Sequence, residues 1–158
     1  ALDIACGAGR HAIFLAERGW RVVAVDGSRV GIELMLAEAK KRGCRDLIEA
    51  HVRDLEAEPP EVTIEPDGHE LIVDCYFLHR PLFPAVRAGI RRGGLFVAAL
   101  HVLSPDGDQR RGFLLEPGEL ERIVGGWGWH ILHAREAAPA ESGHNHGTAE
   151  IVAQRPTK

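Results

Sequence analysis

Two glycines and three spaced carboxylates are the residues of this sequence best placed to do chemistry. Gly7-Ala8-Gly9-Arg10-His11-Ala12 follows a short apolar run, Asp3 stands four residues before Gly7, and Asp26 lies 19 residues after it. A third acid, Asp54, closes a later apolar run. Glycines after a strand let backbone approach a ligand where a Cβ would intervene, and the helix that follows points free amides at it. A carboxylate at the end of the next strand accepts hydrogen bonds from both hydroxyls of a ribose. The spacing fits the fingerprint GxGxxG/A, which serves a nicotinamide dinucleotide as well as S-adenosylmethionine.

Asp3 separates the two ligands. A pyrophosphate is anionic, and a carboxylate inside the first strand would repel it. S-adenosylmethionine instead brings an ammonium and a sulfonium, for which that carboxylate is an asset. The plainer reading of Asp3 is a strand-end acid bonded to loop amides. The chain also lacks a second dinucleotide-binding half with its own substrate domain. S-adenosylmethionine is therefore the expected cofactor, with an NAD-dependent oxidoreductase as the alternative. A third possibility is a truncated or inactive fold that binds cofactor without turnover.

The elements that must position these residues alternate. Ala1–Ala5, Arg21–Val25, Leu47–Val52, Leu71–Val73 and Leu95–Leu100 read as strands. Helical spacing follows at Ala12, Leu15 and Ala16, and again at Ile32, Met35, Leu36 and Ala39, with Ser28 as N-cap and Gly43 beyond Lys40-Lys41-Arg42. Pro81–Ile90 and the segment through Leu120, Ile123 and Val124 complete the helices. The Pro- and Glu-rich stretch Glu56–Gly68 reads as a loop or a short ribbon through Val62 and Ile64, and Gly93-Gly94 reads as a turn. Ser104–Gly112 reads as a loop, and Trp129–Ala134 with Ala149–Ala153 as a hairpin turning at Ser142–Gly147. The expected fold is α/β: an open, mostly parallel Rossmann-like sheet with helices on both faces and a C-terminal antiparallel β-hairpin. Ligands bind such sheets outside the carboxyl ends of the strands, where strand order reverses. Asp26, Asp54 and Asp74–Arg80 should converge there.

Composition narrows the class. The 158 residues, 45% apolar and 27% charged, suit one compact domain. The chain opens on a strand, and a single core domain over 1–158 lacking an N-terminal helical segment is expected. A net charge of −4 without a basic stripe excludes nucleic acid as the expected partner. No apolar run approaches the roughly 20 residues needed to span a bilayer, and no basic leader opens the chain. Three widely spaced cysteines form neither a disulfide framework nor a zinc pattern, which points to the cytoplasm. The oligomeric state is left open.

Asp3-Ile-Ala-Cys-Gly-Ala-Gly-Arg and Val23-Ala-Val-Asp-Gly-Ser resemble motifs I and II of class I S-adenosylmethionine-dependent methyltransferases, closest to the tellurite-resistance branch. His51-Val-Arg-Asp-Leu, Leu71-Ile-Val-Asp-Cys-Tyr-Phe-Leu-His-Arg-Pro-Leu and Phe113-Leu-Leu-Glu-Pro-Gly-Glu-Leu resemble later segments of the same branch. The resemblance implies methyl transfer to a small-molecule acceptor. It places Gly7, Gly9 and the backbone from Cys6 against the methionine portion, and Asp26 with Gly27 at the ribose. Asp54 and the Leu55 amide fall to the adenine, and Cys75 and Tyr76 lie beside the reactive methyl. Ala5 stands where many members carry glycine.

Tyr76, His79 and Arg80 are the candidate catalytic residues, with His101 a further acceptor contact. Pro81 biases Arg80 away from the helical region, leaving its guanidinium available for an acceptor oxyanion. A surface salt bridge for Arg80, and a helix cap or packed ring for His79, are the plainer readings. Cys6 and Cys75 read as small packed thiols, and Trp127 and Trp129 as core or strand-surface aromatics. His144 and His146 read as polar turn residues, and no metal is expected.

Overall fold

The structure is a computed structural model, and it describes residues 1–58, 60–103, 111–142 and 146–158. Its sheet is built in the order of the chain. β1 (Leu2–Ile4) leads through the glycine turn into α1 (Arg10–Ala16), and β2 (Val22–Asp26) leads into α2 (Arg29–Lys41). A 3-10 turn at Arg45–Leu47 precedes β3 (Ile48–Val52). After a long connection come β4 (His69–Cys75), a 3-10 turn (Arg80–Leu82), α3 (Phe83–Gly89) and β5 (Ile90–Val102). A 3-10 turn at Arg111–Phe113, α4 (Glu119–Gly125), β6 (His130–Ala137), the short α5 (Pro139–Ser142) and β7 (Gly147–Gln154) complete the fold.

The seven strands lie in the order β3-β2-β1-β4-β5-β7-β6. The first five pair in parallel, while β7 runs antiparallel to both β5 and β6. Strand order reverses between β1 and β4, so the crevice above that pair is where a ligand belongs.

Alternation along the inner strands divides the core in two. Leu2, Ile4 and Val25 pack with Phe83, Val86, Leu120 and Val124 from α3 and α4. Val22 and Ala24 pack with Ala12, Ile13 and Ala16 of α1 and with Ile32, Met35 and Ala39 of α2. Helices thus cover both faces, as expected. At about 25 cal/mol per Å² of apolar surface, these two layers supply the main drive to fold. Ser28 caps α2, its hydroxyl accepting from the Gly31 amide at 3.1 Å, and Gly43 leaves the helix at φ 71°.

The structure departs from expectation at several joints. Of the two readings of the stretch through Val62 and Ile64, the loop holds, and Ile64 is buried against α3 beside Gly89. Gly93-Gly94 does not precede β5 but lies within it. His69 pairs with Ile90 while Leu71 pairs with Leu95, so the extra residues bulge out at Gly93, φ 77°. A Cβ on Gly94 would meet the Glu70 carbonyl at 2.8 Å, which explains glycine there. The β6–β7 connection carries α5 rather than a bare turn, and 143–145 of the expected turn lie outside the described residues. So do 104–110 of the expected loop, along with His144.

Candidate functional site

The glycine turn is built from alternating left-handed residues. Ala5 and Gly7 lie at φ 53° and Gly9 at φ 81°. The turn is tied to β2 at two points: the Cys6 amide donates to the Val25 carbonyl at 3.1 Å, and the Gly7 amide to Asp26 Oδ2 at 2.7 Å. The other Asp26 oxygen accepts from the Ser28 amide at 2.7 Å. Asp26 therefore links the glycine turn to the start of α2 while each carboxylate oxygen keeps a lone pair for a ligand. Gly9 is required by packing, since a Cβ there would lie 2.1 Å from Cγ of Met35 on α2. A Cβ on Gly7 meets nothing, so that side of the turn is open.

Asp3 lies under this turn and is 1% exposed. It accepts from the Ala12 amide, and its Oδ2 has no partner among the described residues. Burial, with a lesser contribution from the Asp26 charge, pushes its carboxyl up to about 7 against the opposing Ala12 amide. Asp3 thus meets an amide of α1 rather than one of a loop, and it keeps one oxygen unpartnered among the described residues. Burial also raises the Cys6 thiol to about 12 and the Cys75 thiol to about 11, so neither is a nucleophile at neutral pH.

A cleft of about 600 Å³ opens beside the turn, lined by Ala5, Cys6, Ala8, Arg10, His11, Cys75, Tyr76 and His101, among others. Tyr76 enters it from the end of β4 in a left-handed conformation, φ 66°, that a bulky side chain rarely adopts. Its amide donates to the Ala99 carbonyl at 2.7 Å, and its ring lies 4.9 Å from that of His101. The His146 ring lies 5.6 Å from that of His101. The cleft therefore has one wall from Ala5, Cys6 and Ala8 of the turn and one from Tyr76 and His101.

Asp54 and Leu55 follow β3, adjacent to Asp26 through a bond from the Arg53 amide to the Asp26 carbonyl at 3.0 Å. The Asp54 carboxylate is exposed and accepts from the Glu56 amide at 2.9 Å, while the Leu55 side chain is buried. Gly27 is exposed beside them.

Of the expected site residues, Cys6, Cys75, Tyr76 and His101 line the cleft, and Asp3, Gly7, Gly9, Asp26, Gly27, Asp54, Leu55, His79 and Arg80 do not. His79 caps nothing: its ring stacks on Phe77 at 6.2 Å, and its Nε2 is buried without a hydrogen-bond partner among the described residues. Arg80 does not hold out a free guanidinium, and that expectation is corrected. Its Nε and Nη2 grip Glu119 at 2.6 and 2.8 Å, while Nη1 and Nη2 donate to the Gly112 and Leu114 carbonyls at 3.3 and 3.0 Å. Arg80 opens the 3-10 turn Arg80–Leu82 that leads into α3, and its guanidinium is held by a carboxylate 39 residues away. Glu119 was not singled out from the sequence, and neither was Asp74. Asp74 carries a legible signal, a lone acid ending the apolar run Leu71-Ile72-Val73. A second cavity of about 570 Å³, walled by Leu2, Val23, Val25 and Val62, contains none of the expected site residues.

An orphaned buried carboxyl, a left-handed glycine cradle and a strand-end acid with spare lone pairs suit a ligand that is cationic at one end and carries a diol at the other. Comparison with known proteins agrees. Residues 1–93 match the family model described as "Methyltransferase domain". The chain belongs to that family. As a class I S-adenosylmethionine-dependent methyltransferase domain, it has no use for the nicotinamide reading. Over 56 residues it is 46% identical to the cypemycin N-terminal methyltransferase of a Streptomyces species, a stretch covering 34% of this chain and 22% of that protein. The domain superposes on TehB from Haemophilus influenzae with a TM-score of 0.76 at 17% identity, covering 98% of this chain and 57% of that one. It superposes equally well, TM-score 0.76 at 13% identity, on a geranyl diphosphate C-methyltransferase from Streptomyces coelicolor A3(2), covering 98% and 70%. A [4+2]-cyclase, SpnF, gives a TM-score of 0.78 at 15% identity, covering 99% and 74%. These distant structures share the fold. No helix among the described residues is long and apolar enough to cross a membrane.

Proposed function

We propose that this domain transfers the methyl group of S-adenosylmethionine to a small-molecule acceptor in the cleft above β1 and β4. The single observation that supports this most is the glycine turn locked to Asp26 over a buried carboxyl, Asp3, with one unpartnered oxygen. Asp3, Cys6, Gly7, Gly9 and Cys75 hold the methionine end in this reading, Asp26 and Gly27 the ribose, and Asp54 and Leu55 the adenine. The cofactor supplies an activated methyl group when bound, so the protein need only orient the acceptor and exclude water. Such positioning is worth about 7–11 kcal/mol of barrier. Tyr76 and His101 form the wall an acceptor would meet. Arg80, bound to Glu119, is here a positioning residue: it holds the 112–116 segment, whose Leu115 pairs with the backbone of β5 at His101 and Leu103. We place the protein in the cytoplasm, in keeping with free thiols at Cys6, Cys44 and Cys75.

Calorimetry with S-adenosylhomocysteine and with NAD tests the cofactor, and transfer of a labelled methyl group across a panel of small molecules tests the acceptor. Binding of S-adenosylhomocysteine alone is expected. Tight NAD binding with no response to S-adenosylhomocysteine would overturn the reading.

A further inference from the structure

Among the described residues, the lining of the cleft beside the glycine turn holds one formal charge that the fold leaves uncompensated. Two arginines and one acid line it: Arg10, Arg42 and Glu38. Arg42 is committed, its Nε meeting Glu38 at 2.8 Å and its Nη1 meeting Glu17 at 3.4 Å. Arg10, the first residue of α1, is exposed and makes no hydrogen bond or ion pair with any described residue. It is the reverse of Arg80, whose donors are spent on Glu119 and on two backbone carbonyls. The Arg10 charge is felt inside the cleft: burial raises the Cys75 thiol at the end of β4, and Arg10 works against that rise. Burial and then Arg10 hold His11 below its usual range, so His11 adds no charge at neutral pH.

The same cleft carries the wall assigned above to an acceptor. Tyr76 is 44% exposed, and its ring lies 4.9 Å from that of His101 at an angle of 31°. The residues assigned to the ribose and the adenine, Asp26, Gly27, Asp54 and Leu55, stand outside it, as do Asp3, Gly7 and Gly9 of the methionine end. The cleft is therefore the half of the crevice that an acceptor would occupy. A guanidinium is a planar fork of five donors that matches a carboxylate or a similar oxyanion through two parallel bonds. One uncommitted fork beside a pair of rings suits a small molecule with an anionic group.

We propose that Arg10 binds an oxyanion of the methyl acceptor, so that the cleft takes small molecules bearing a carboxylate or a comparable anion in preference to their neutral counterparts. The inference rests on the reading above that the domain transfers a methyl group in this cleft. It adds to that reading the chemical class of the acceptor and the residue that selects it. Arg10 acts through binding alone, since a guanidinium gives up no proton at any working pH. The cofactor carries a carboxylate of its own, which is the competing claim on the same fork, and the two sources separate by experiment.

The assay is transfer of a labelled methyl group from S-adenosylmethionine, by the full chain, to a panel of hydroxy, amino and mercapto carboxylic acids, each beside its primary amide. Acids should be methylated with a kcat/KM at least roughly tenfold above that of their amides. Arg10→Gln should erase the preference through KM with kcat little changed, and Arg10→Lys should keep part of it. Added salt should weaken the preference in the parent chain. Calorimetry with S-adenosylhomocysteine, and with 5′-methylthioadenosine, which lacks the amino-acid end, should give both variants affinities within roughly twofold of the parent. Acids and amides used alike, a preference that survives Arg10→Gln, or methyl transfer to none of the acids overturns the proposal; if S-adenosylhomocysteine still binds, the cofactor reading stands. An Arg10→Gln protein that loses affinity for S-adenosylhomocysteine but not for 5′-methylthioadenosine also overturns it, and assigns the guanidinium to the cofactor's carboxylate. Failure of the parent chain to bind either S-adenosylhomocysteine or S-adenosylmethionine overturns both. If Arg10→Gln does not fold, Arg10→Lys and the salt dependence of the parent decide.

Discussion

Replacing Arg80 by alanine should unfold the protein more easily without loosening its hold on the cofactor. Four hydrogen bonds are lost, two to Glu119 and two to backbone carbonyls. Among the described residues Glu119 is left with the Glu116 amide, at 2.7 Å, although its side chain is just 12% exposed. Hydrogen bonds to charged groups contribute about 1.5–3 kcal/mol, and stranding a buried carboxylate costs about 3–5 kcal/mol. The Arg80 side chain is 38% exposed, however, so water replaces part of what is lost. The expected cost is about 2–3 kcal/mol, near the low end. Glu119→Gln keeps the shape and drops the charge, and should cost about 1–2 kcal/mol. Urea unfolding of both variants and the double variant measures the coupling. S-adenosylhomocysteine affinity should stay within roughly twofold, because Arg80 lies outside the cleft. An Arg80→Ala cost below about 0.5 kcal/mol, the range of an ordinary surface change, would refute the clamp.

Further outcomes follow from the glycine turn and its acids. Gly9→Ala should destabilise by about 2–5 kcal/mol in thermal or urea unfolding, combining a left-handed alanine with a clash against Met35. Ala5→Gly should be neutral or stabilising by up to about 1 kcal/mol, because Ala5 already sits at φ 53°. Asp26→Ala should weaken cofactor binding by about 1.5–3 kcal/mol and also loosen the turn, visible as faster amide exchange at Gly7 and Ser28. Asp26→Asn, which keeps one acceptor oxygen, should retain more of both. The pH dependence of unfolding has opposite signs at the two kinds of acid. Asp3 is raised in the fold, so its contribution is complete below the unfolded value near 3.8 and is lost as pH climbs to about 7, on the order of 4 kcal/mol. Glu119 is lowered, chiefly by Arg80, so its contribution is present above about 4.5 and is lost as pH falls below that. Urea unfolding from about pH 4 to 8 checks both, and a stability that rises steadily through neutral pH would count against the buried acids.

The cofactor half of the fold was legible because its demands fall on the backbone. A left-handed turn leaves glycine in the sequence, a helix start leaves Ser28, and inner strands leave alternating apolar residues. Such requirements act within a few residues and can be read off in order. The joints that misled are those where distant contacts decide. Gly93-Gly94 has the composition of a turn, yet β4 pairs on both sides of it and draws it into β5 as a bulge. The stretch through Val62 and Ile64 left loop and ribbon both open in sequence, and the burial of Ile64 beside Gly89 goes with the loop.

The acceptor half was legible only as a set of residue types, for a different physical reason. An arginine after β4 and a glutamate opening α4 each look solvent-exposed in sequence, and nothing local couples them. Their bond closes a span of 39 residues and is favourable only once the sheet has brought both ends together. The same closure brings Leu115 against β5 and sets the wall at Tyr76 and His101. A chemical group that holds another group in place leaves the same trace in sequence as one that holds a substrate. What distinguishes them is which donors remain after folding. By that criterion Arg80, with four of its five donors committed, belongs to the scaffold. Asp3, with one oxygen uncommitted among the described residues, differs from it in that respect.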